Sequence, residues 1–346
     1  MRARVVVSAV FLTVLFVSVL FPRFFSPYGF AEQNRDFVFV PPTRIHLMDF
    51  QGRFHWHPFV CQWRPRPQAF ELYDEDPQNC FPLRLFVRGE ADKGWHLFGV
   101  AAPAKCFLMG TDAYGRDVFS RFLYGGQISL FAGMLAAMLS LGIGTALGTI
   151  AGFYGTWVDA VIMRTAEVFL ALPWIYLLFG LRAFLPLNIG PSQAFLLIIA
   201  TIGTVGWARP AKLVRAVVLS GKERSYVLAA RMFGGSDFYV LRRHILPQAS
   251  GLILTQAALL IPQYVLCEVT LSFLGLGIGE PAPSWGRMLS DLQQYHVMIS
   301  YWWMWIPALA MLPIFFCFIQ IADHLQPDAD RLIVSESWTT RASLGT

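Results

Sequence analysis

"SYVLAARMFGGSDFYVLRRHILP", residues 225–247, decides how the rest of this 346-residue chain is read. It carries Arg231, Asp237, Arg242, Arg243 and His244, too much charge for a bilayer crossing, yet one side of it is apolar. Ser236 follows the Gly234–Gly235 pair as a helix N-cap would, so the spacing predicts two short helices joined by a tight turn. Tyr226, Val227, Ala230 and Phe233 recur at helical spacing, while Ala229, Ala230 and Gly234 leave room for close approach. A helix with such a face outside the membrane requires a partner groove. The other reading, a helix lying flat on lipid, leaves each short half little area to bury.

The chain around this stretch is built for lipid. It is 55% hydrophobic and only 14% charged, with a mean hydropathy of +0.50. A helical crossing needs roughly 20 apolar residues. The runs at 5–21, 129–153, 158–187, 191–207, 252–274 and 302–321 approach or meet this length, which predicts an all-α polytopic membrane protein with six transmembrane helices. The first run has Arg2 and Arg4 before it, as a signal peptide would. The chain continues "FPRFFSPYG" with no small-residue cleavage site, so an uncleaved anchor over 1–22 is expected.

Orientation follows from Lys and Arg in short loops. Residues 207–250 carry Arg209, Lys212, Arg215, Lys222, Arg224, Arg231, Arg242 and Arg243, whereas 275–300 carry only Arg287. The basic segment is therefore placed in the cytoplasm, with both termini, including a tail over 326–346, on the same side. Residues 23–109 then form an extracytoplasmic insertion, followed by an interfacial segment over 110–126. Within the insertion, "RIHLMDFQGRFHWHPFV" and "LRLFVRGEADKGWHLFGV" alternate polar and apolar residues about turn signals and predict two β-hairpins. Cys61, Cys80 and Cys106 lie here, and one disulfide is expected. Cys61–Cys80 would staple the segment between the hairpins, worth about 3 kcal/mol in the chain-entropy account. Cys267 and Cys317, in apolar runs, read as packing residues.

Chemistry is sparse. "GTDAYGRD", residues 110–117, has the glycine spacing of a phosphate loop, but Arg116 and Asp117 stand where Lys and Ser or Thr are needed, so it is no ATP site. His46, His55, His57 and Cys61 share a hairpin that could in geometry approach a metal, yet exposed hairpin histidines are ordinarily surface residues. No metal, cofactor, catalytic set or nucleic-acid partner is expected. Three ionisable residues fall in apolar runs: Arg164, Glu167 and Glu268. Arg164 and Glu167 are placed to pair on one helix face, either as a structural ion pair or in transport. Glu268 has no partner in its own run, and lines a pathway or accepts bonds from another helix.

"AARMFG" and the spacing from Gly234 to Pro247, ending "HILP", resemble the EAA loop of bacterial ABC-importer permeases. "GTDAYGRDVFSRFLYGGQISLFAG" (110–133), "WARPAKLVRAVVLS" (207–220) and "SFLGLGIGEPAPSWGRML" (272–289) are similar to the dipeptide, oligopeptide and nickel branch of that family. Leu228 and Gln127 depart from its pattern, and the insertion is longer than most relatives carry. The resemblance implies a type I importer permease (MetI-like) fold over 127–325. Its coupling loop would span 208–250, with Tyr226, Val227, Ala229, Ala230, Phe233, Gly234, Arg242 and Pro247 at the ATPase contact. It further implies a second homologous permease subunit, two cytoplasmic ABC ATPase subunits, an extracytoplasmic solute-binding protein and a peptide cargo. A nickel, opine or sugar cargo is the alternative. A secondary transporter would show internal repeats and broken midplane helices, which the sequence does not display.

Overall fold

The computed structural model describes residues 2–48, 53–66, 69–89, 94–183 and 190–325. Helix α1 (Arg2–Leu20) leads into the short α2 (Pro22–Phe25). Four strands follow: β1 (His46–Met48), β2 (Phe54–Arg66), β3 (Ala69–Arg88) and β4 (Trp95–Val100). The helical body comprises α3 (Val118–Tyr154), α4 (Thr156–Ala171), α5 (Trp174–Ala183), α6 (Pro191–Val205) and α7 (Ala208–Lys222). It continues through α8 (Ser225–Met232), α9 (Asp237–Val240), a π-helical turn at Leu241–Ile245 and α10 (Leu246–Phe273). It closes with α11 (Trp285–Ser290), α12 (Tyr295–Ser300) and α13 (Ile306–Leu325).

The strands form one antiparallel sheet in the order β1-β2-β3-β4, containing both expected hairpins. The central β2–β3 pairing sets Cys61 opposite Cys80, and the two form a disulfide. Cys106, Cys267 and Cys317 are free and buried.

Among the described residues, four helical runs are long and apolar enough to cross a membrane: 3–20, 118–154, 237–273 and 302–325. A fifth arises if α6 and α7, bent by 45° about Gly206 and Trp207, are one broken span. The expected run 158–187 is not one such helix. Pro173 lacks an amide hydrogen and forces Leu172 into extended backbone (ψ 135°), separating α4 from α5. Residues 184–187 of that run lie outside the described residues. The first part of the expected 208–250 segment is α7, a helix with Ala208, Pro210, Ala211, Val214 and Val218 buried.

The α3–α7 packing explains why. Gly144, Gly148 and Gly152 recur every fourth residue and share one face of α3. A Cβ at Gly148 would stand 2.4 Å from the Ala211 carbonyl oxygen, so only glycine lets the two backbones meet this closely. Tight backbone contact, rather than apolar bulk, draws the Arg-rich helix into the bundle.

Candidate functional site: the coupling surface, the helix breaks and the outer charge cluster

The opening stretch folds as two short helices about a Gly234 turn of positive φ (81°). The Ser236 hydroxyl caps α9 by accepting from the Tyr239 amide at 3.3 Å. Its apolar side is divided. Val227 is fully buried with Phe153, Val214, Val218, Val240 and Ile245, and Ala230 packs partly against the same cluster. Val227 is therefore not available to a partner chain, a correction to its expected role. The physical cause is that α7 and the π-helical turn supply an apolar groove for the Val227 side of α8. What stays open is the tip: Met232 is 88% exposed, Phe233 92% and Phe238 71%, with Tyr226 and Leu228 half exposed. Ala229 and Ala230 are half-buried, while Gly234, Arg242 and Pro247 are exposed. The Arg231 guanidinium lies 4.8 Å from the Phe153 ring centre and 3.8 Å from Asp237, holding α8 against the end of α3. Tyr226 and Gln248 hydrogen-bond, bracing α8 to the first turn of α10.

The two helix breaks meet at one cavity. Ala171, Leu172 and Pro173 of the α4–α5 break and Val205 and Gly206 of the α6–α7 break line a space of about 270 Å³. Arg209, Gln263 and Tyr264 add polar groups to its wall. Tyr264 shares a hydrogen bond of 2.8 Å with the Ser140 hydroxyl. These breaks were not read from the sequence, although Pro173 and Gly206–Trp207 signalled them.

Glu268 is one residue from Cys267, which lines that cavity, but its own carboxylate is fully buried elsewhere. The Ser272 hydroxyl donates to it at 2.6 Å, with Ser129 and Ser284 alongside. One partner, Ser272, is thus on its own helix one turn later, a spacing the sequence displayed, and Ser129 of α3 is the partner from another helix. Arg164 and Glu167 pair at 3.0 Å as expected, and Lys212 approaches Glu167 at 3.8 Å. Neither Arg164 nor Glu167 is buried within the chain.

The "GTDAYGRD" segment forms a charge cluster at the N-terminal end of α3. Asp112 accepts from the Arg116 side chain at 2.7 Å and from the backbone amides of Tyr114 and Arg116. Glu280, in the loop after α10, accepts from Arg116 at 2.8 Å and Arg121 at 3.3 Å, with Arg287 at 3.5 Å. Asp117 caps α3 through the Ser120 amide at 2.8 Å. Burial raises the Asp117 carboxyl to about 7 against the lowering effect of the Ser120 bonds. Burial and neighbouring Asp112 raise Asp291 to about 6, against the lowering effect of Arg121, Arg116 and Arg287. Burial also acts to raise Glu280, but Arg121, Arg116 and Arg287 outweigh it and hold it below the usual range. The phosphate-loop spacing thus builds an ion network.

Among the described residues no group of three or more His, Cys, Asp or Glu side chains is placed to hold a metal. His46 instead faces Glu75 at 2.9 Å.

Four long apolar helices, a bent α6–α7 pair beside the polar-walled cavity and a helical pair with an open apolar tip describe a multi-pass membrane protein. The chain belongs to the family of binding-protein-dependent transport system inner membrane components, whose model matches residues 144–331. It is 36% identical to the oligopeptide transport system permease protein OppC of Haemophilus influenzae, over 86% of this chain and 96% of that one. It is also 36% identical to the dipeptide transport system permease protein DppC of Bacillus subtilis, over 66% of this chain and 69% of that one. Among solved structures, the MetNI methionine ABC transporter aligns over 60% of this chain and 96% of its own, at 17% identity and a TM-score of 0.42.

Proposed function

We propose that this chain is one permease subunit of an ATP-driven importer for peptides, with a type I (MetI-like) six-span topology. It pairs with a second homologous permease, two cytoplasmic ABC ATPases and an extracytoplasmic solute-binding protein. The names of its relatives support dipeptides or oligopeptides as cargo. In this reading the protein resides in the bacterial inner membrane with both termini cytoplasmic, and the β-sheet insertion lies outside. ATP hydrolysis belongs to the partner chains.

The observation that carries the coupling role is the open tip of α8 and α9. Met232, Phe233 and Phe238 are large, apolar and exposed, while Val227 and Ala230 on the inner side tie the same helix to α7 and α10. A tip that is greasy outside and anchored inside transmits movement of a docked subunit into the membrane helices. The ATPase groove covers Phe233, Met232, Tyr226 and Ala229, with Arg242 and Pro247 at its edge. The cavity at the helix breaks belongs to the path, because irregular backbone within a membrane is tolerated where it faces a cavity or protein.

The test is the double substitution Met232→Asp and Phe233→Asp. Both side chains lie outside the chain's own core, so membrane abundance stays near wild type. The introduced charges would be buried without partners on docking, so the ATPase no longer co-purifies and peptide uptake is lost. Retained co-purification together with retained uptake would show that the tip is not the docking surface.

A further inference from the structure

We propose that the β3–β4 hairpin is a membrane-surface foot, with Leu85, Phe86 and Trp95 seated in the lipid headgroup region beside the C-terminal end of α1. These side chains are 67%, 61% and 62% exposed, an apolar patch left open by the described residues. Leu85 and Phe86 are neighbours in sequence, and in a regular strand they would face opposite sides. Phe86 adopts a positive φ of 53°, costly for a bulky residue, and this interrupts the alternation where both side chains are exposed.

Continuity with the lipid-facing surface of the bundle identifies the occupant. Val14, Val17 and Leu20 form the exposed outer side of α1, and the exposed Phe21 leads straight into α2. The Phe24 ring on α2 lies 6.3 Å from the Phe86 ring, so the patch extends the surface of the first span. Depth agrees. Phe16 on α1 meets Phe318 on α13, with ring centres 6.3 Å apart. At 1.5 Å per helical residue, Phe24 stands roughly 12 Å beyond that level, and Trp305 at the head of α13 roughly 20 Å beyond it. Phe24, and Phe86 with it, is therefore no farther out than the tryptophan that opens the last span. Arg84 and Arg88 flank Phe86 two residues to either side, within reach of lipid phosphates, and Trp with Arg is the pairing that bilayer interfaces favour. A lipid surface matches a patch that is aromatic, rimmed by arginine and level with the end of a span.

Nitroxide labels on Leu85→Cys, Phe86→Cys, Trp95→Cys and, as reference, Gln78→Cys test this in full-length protein held in phosphatidylcholine–phosphatidylglycerol nanodiscs. Cys106, Cys267 and Cys317 are buried and do not compete for label in the folded protein. Collisions with apolar oxygen and with a water-soluble nickel chelate are then compared. The expected result is a loss of nickel collisions and a gain of oxygen collisions at 85, 86 and 95 relative to 78. Nickel access at all three equal to that at 78 would overturn the proposal, leaving the hairpin in water. Shielding from both reagents would overturn it equally, placing a protein on the patch. If Phe86→Cys disturbs the turn, Leu85→Cys and Trp95→Cys still decide. Transport is not read, so the outcome is independent of the function proposed above.

Discussion

The two ends of α10 are organised on opposite principles. At its N-terminal end the chain leaves apolar side chains in the open: Met232, Phe233 and Phe238 project from short helices. At its C-terminal end the chain buries charge: Asp112, Arg116, Asp117 and Arg121 are all within 5% exposure, with Arg116 and Arg121 on Asp112 and Glu280, and Asp117 held by Ser120. An exposed apolar tip gains by association, because the area it removes from water is not yet removed. A buried ion network gains nothing from a new partner and loses heavily if one member is deleted. In the function proposed above the first end is an interface; the second joins the entry of α3 to the loop after α10 as a clasp. A single helix of 28 residues, with Pro262 in its interior, connects them.

This contrast is open to attack from both sides. The largest stability effect is expected from Arg116→Ala, which removes a buried guanidinium from Asp112 and Glu280. Leaving a buried charge without its partner costs about 3–5 kcal/mol, enough to lower membrane abundance and thermal stability. The tip substitutions at Met232 and Phe233 should show the reverse pattern, normal abundance with lost coupling. If Arg116→Ala instead kept wild-type stability in a thermal-shift measurement, the outer cluster would be no clasp.

Glu280→Gln comes next. Glu280 is about one-third exposed, so solvent screens its three arginine contacts, and a loss of roughly 1–2 kcal/mol is expected. An effect as large as that of Arg116→Ala would place the weight of the cluster on the loop rather than on α3.

The third expectation concerns pH. Asp117 and Asp291 are raised by burial to about 7 and about 6, above their unfolded value of roughly 3.9. The folded state therefore holds more protons than the unfolded state between about pH 4 and 7, and stability falls as pH rises through that window. Glu280 is depressed and acts oppositely, losing its contribution only as pH falls below the ordinary glutamate range. The purified protein should thus melt higher at pH 6 than at pH 8. Asp117→Asn keeps a cap at the start of α3 and removes the titrating group, so it should flatten that difference. An unchanged slope in the variant would exclude Asp117 as its source.

The smallest effect is a count. Denatured, unreduced protein should show Cys106, Cys267 and Cys317 reactive, and Cys61 and Cys80 bridged. In the folded protein Cys106 stays inert, because burial pushes its thiol up to about 12. Finding all five thiols reactive after denaturation would remove the staple between β2 and β3.

Much of the 225–247 stretch was legible because its signals are local. Ser236 as a cap, Gly234 as the positive-φ turn and the short helix at 225–232 each depend on a few neighbouring residues. The same holds for the Arg164–Glu167 pair. Val227 was misplaced because helical periodicity reports that a side is apolar without naming what covers it, and α7 reached it before any partner could. The break at Leu172–Pro173 was passed over because apolar composition ran through it unbroken. The β2–β3 pairing brings together segments that belong to separate expected hairpins, and only the disulfide expectation pointed to it.

The sequence by itself determined that the chain is a set of lipid-compatible helices, since a bilayer forces each crossing to satisfy its backbone internally. It also determined the short interrupted helical pair and the family resemblance. Tertiary structure alone decided which side of α8 is left open, that α7 lies within the bundle, that Asp112 and Glu280 share Arg116, and that two helix breaks face one cavity. Those features join residues far apart in the chain. Their geometry depends on how closely helices approach, as Gly148 and Ala211 do, and approach distances are set by packing that no local pattern encodes.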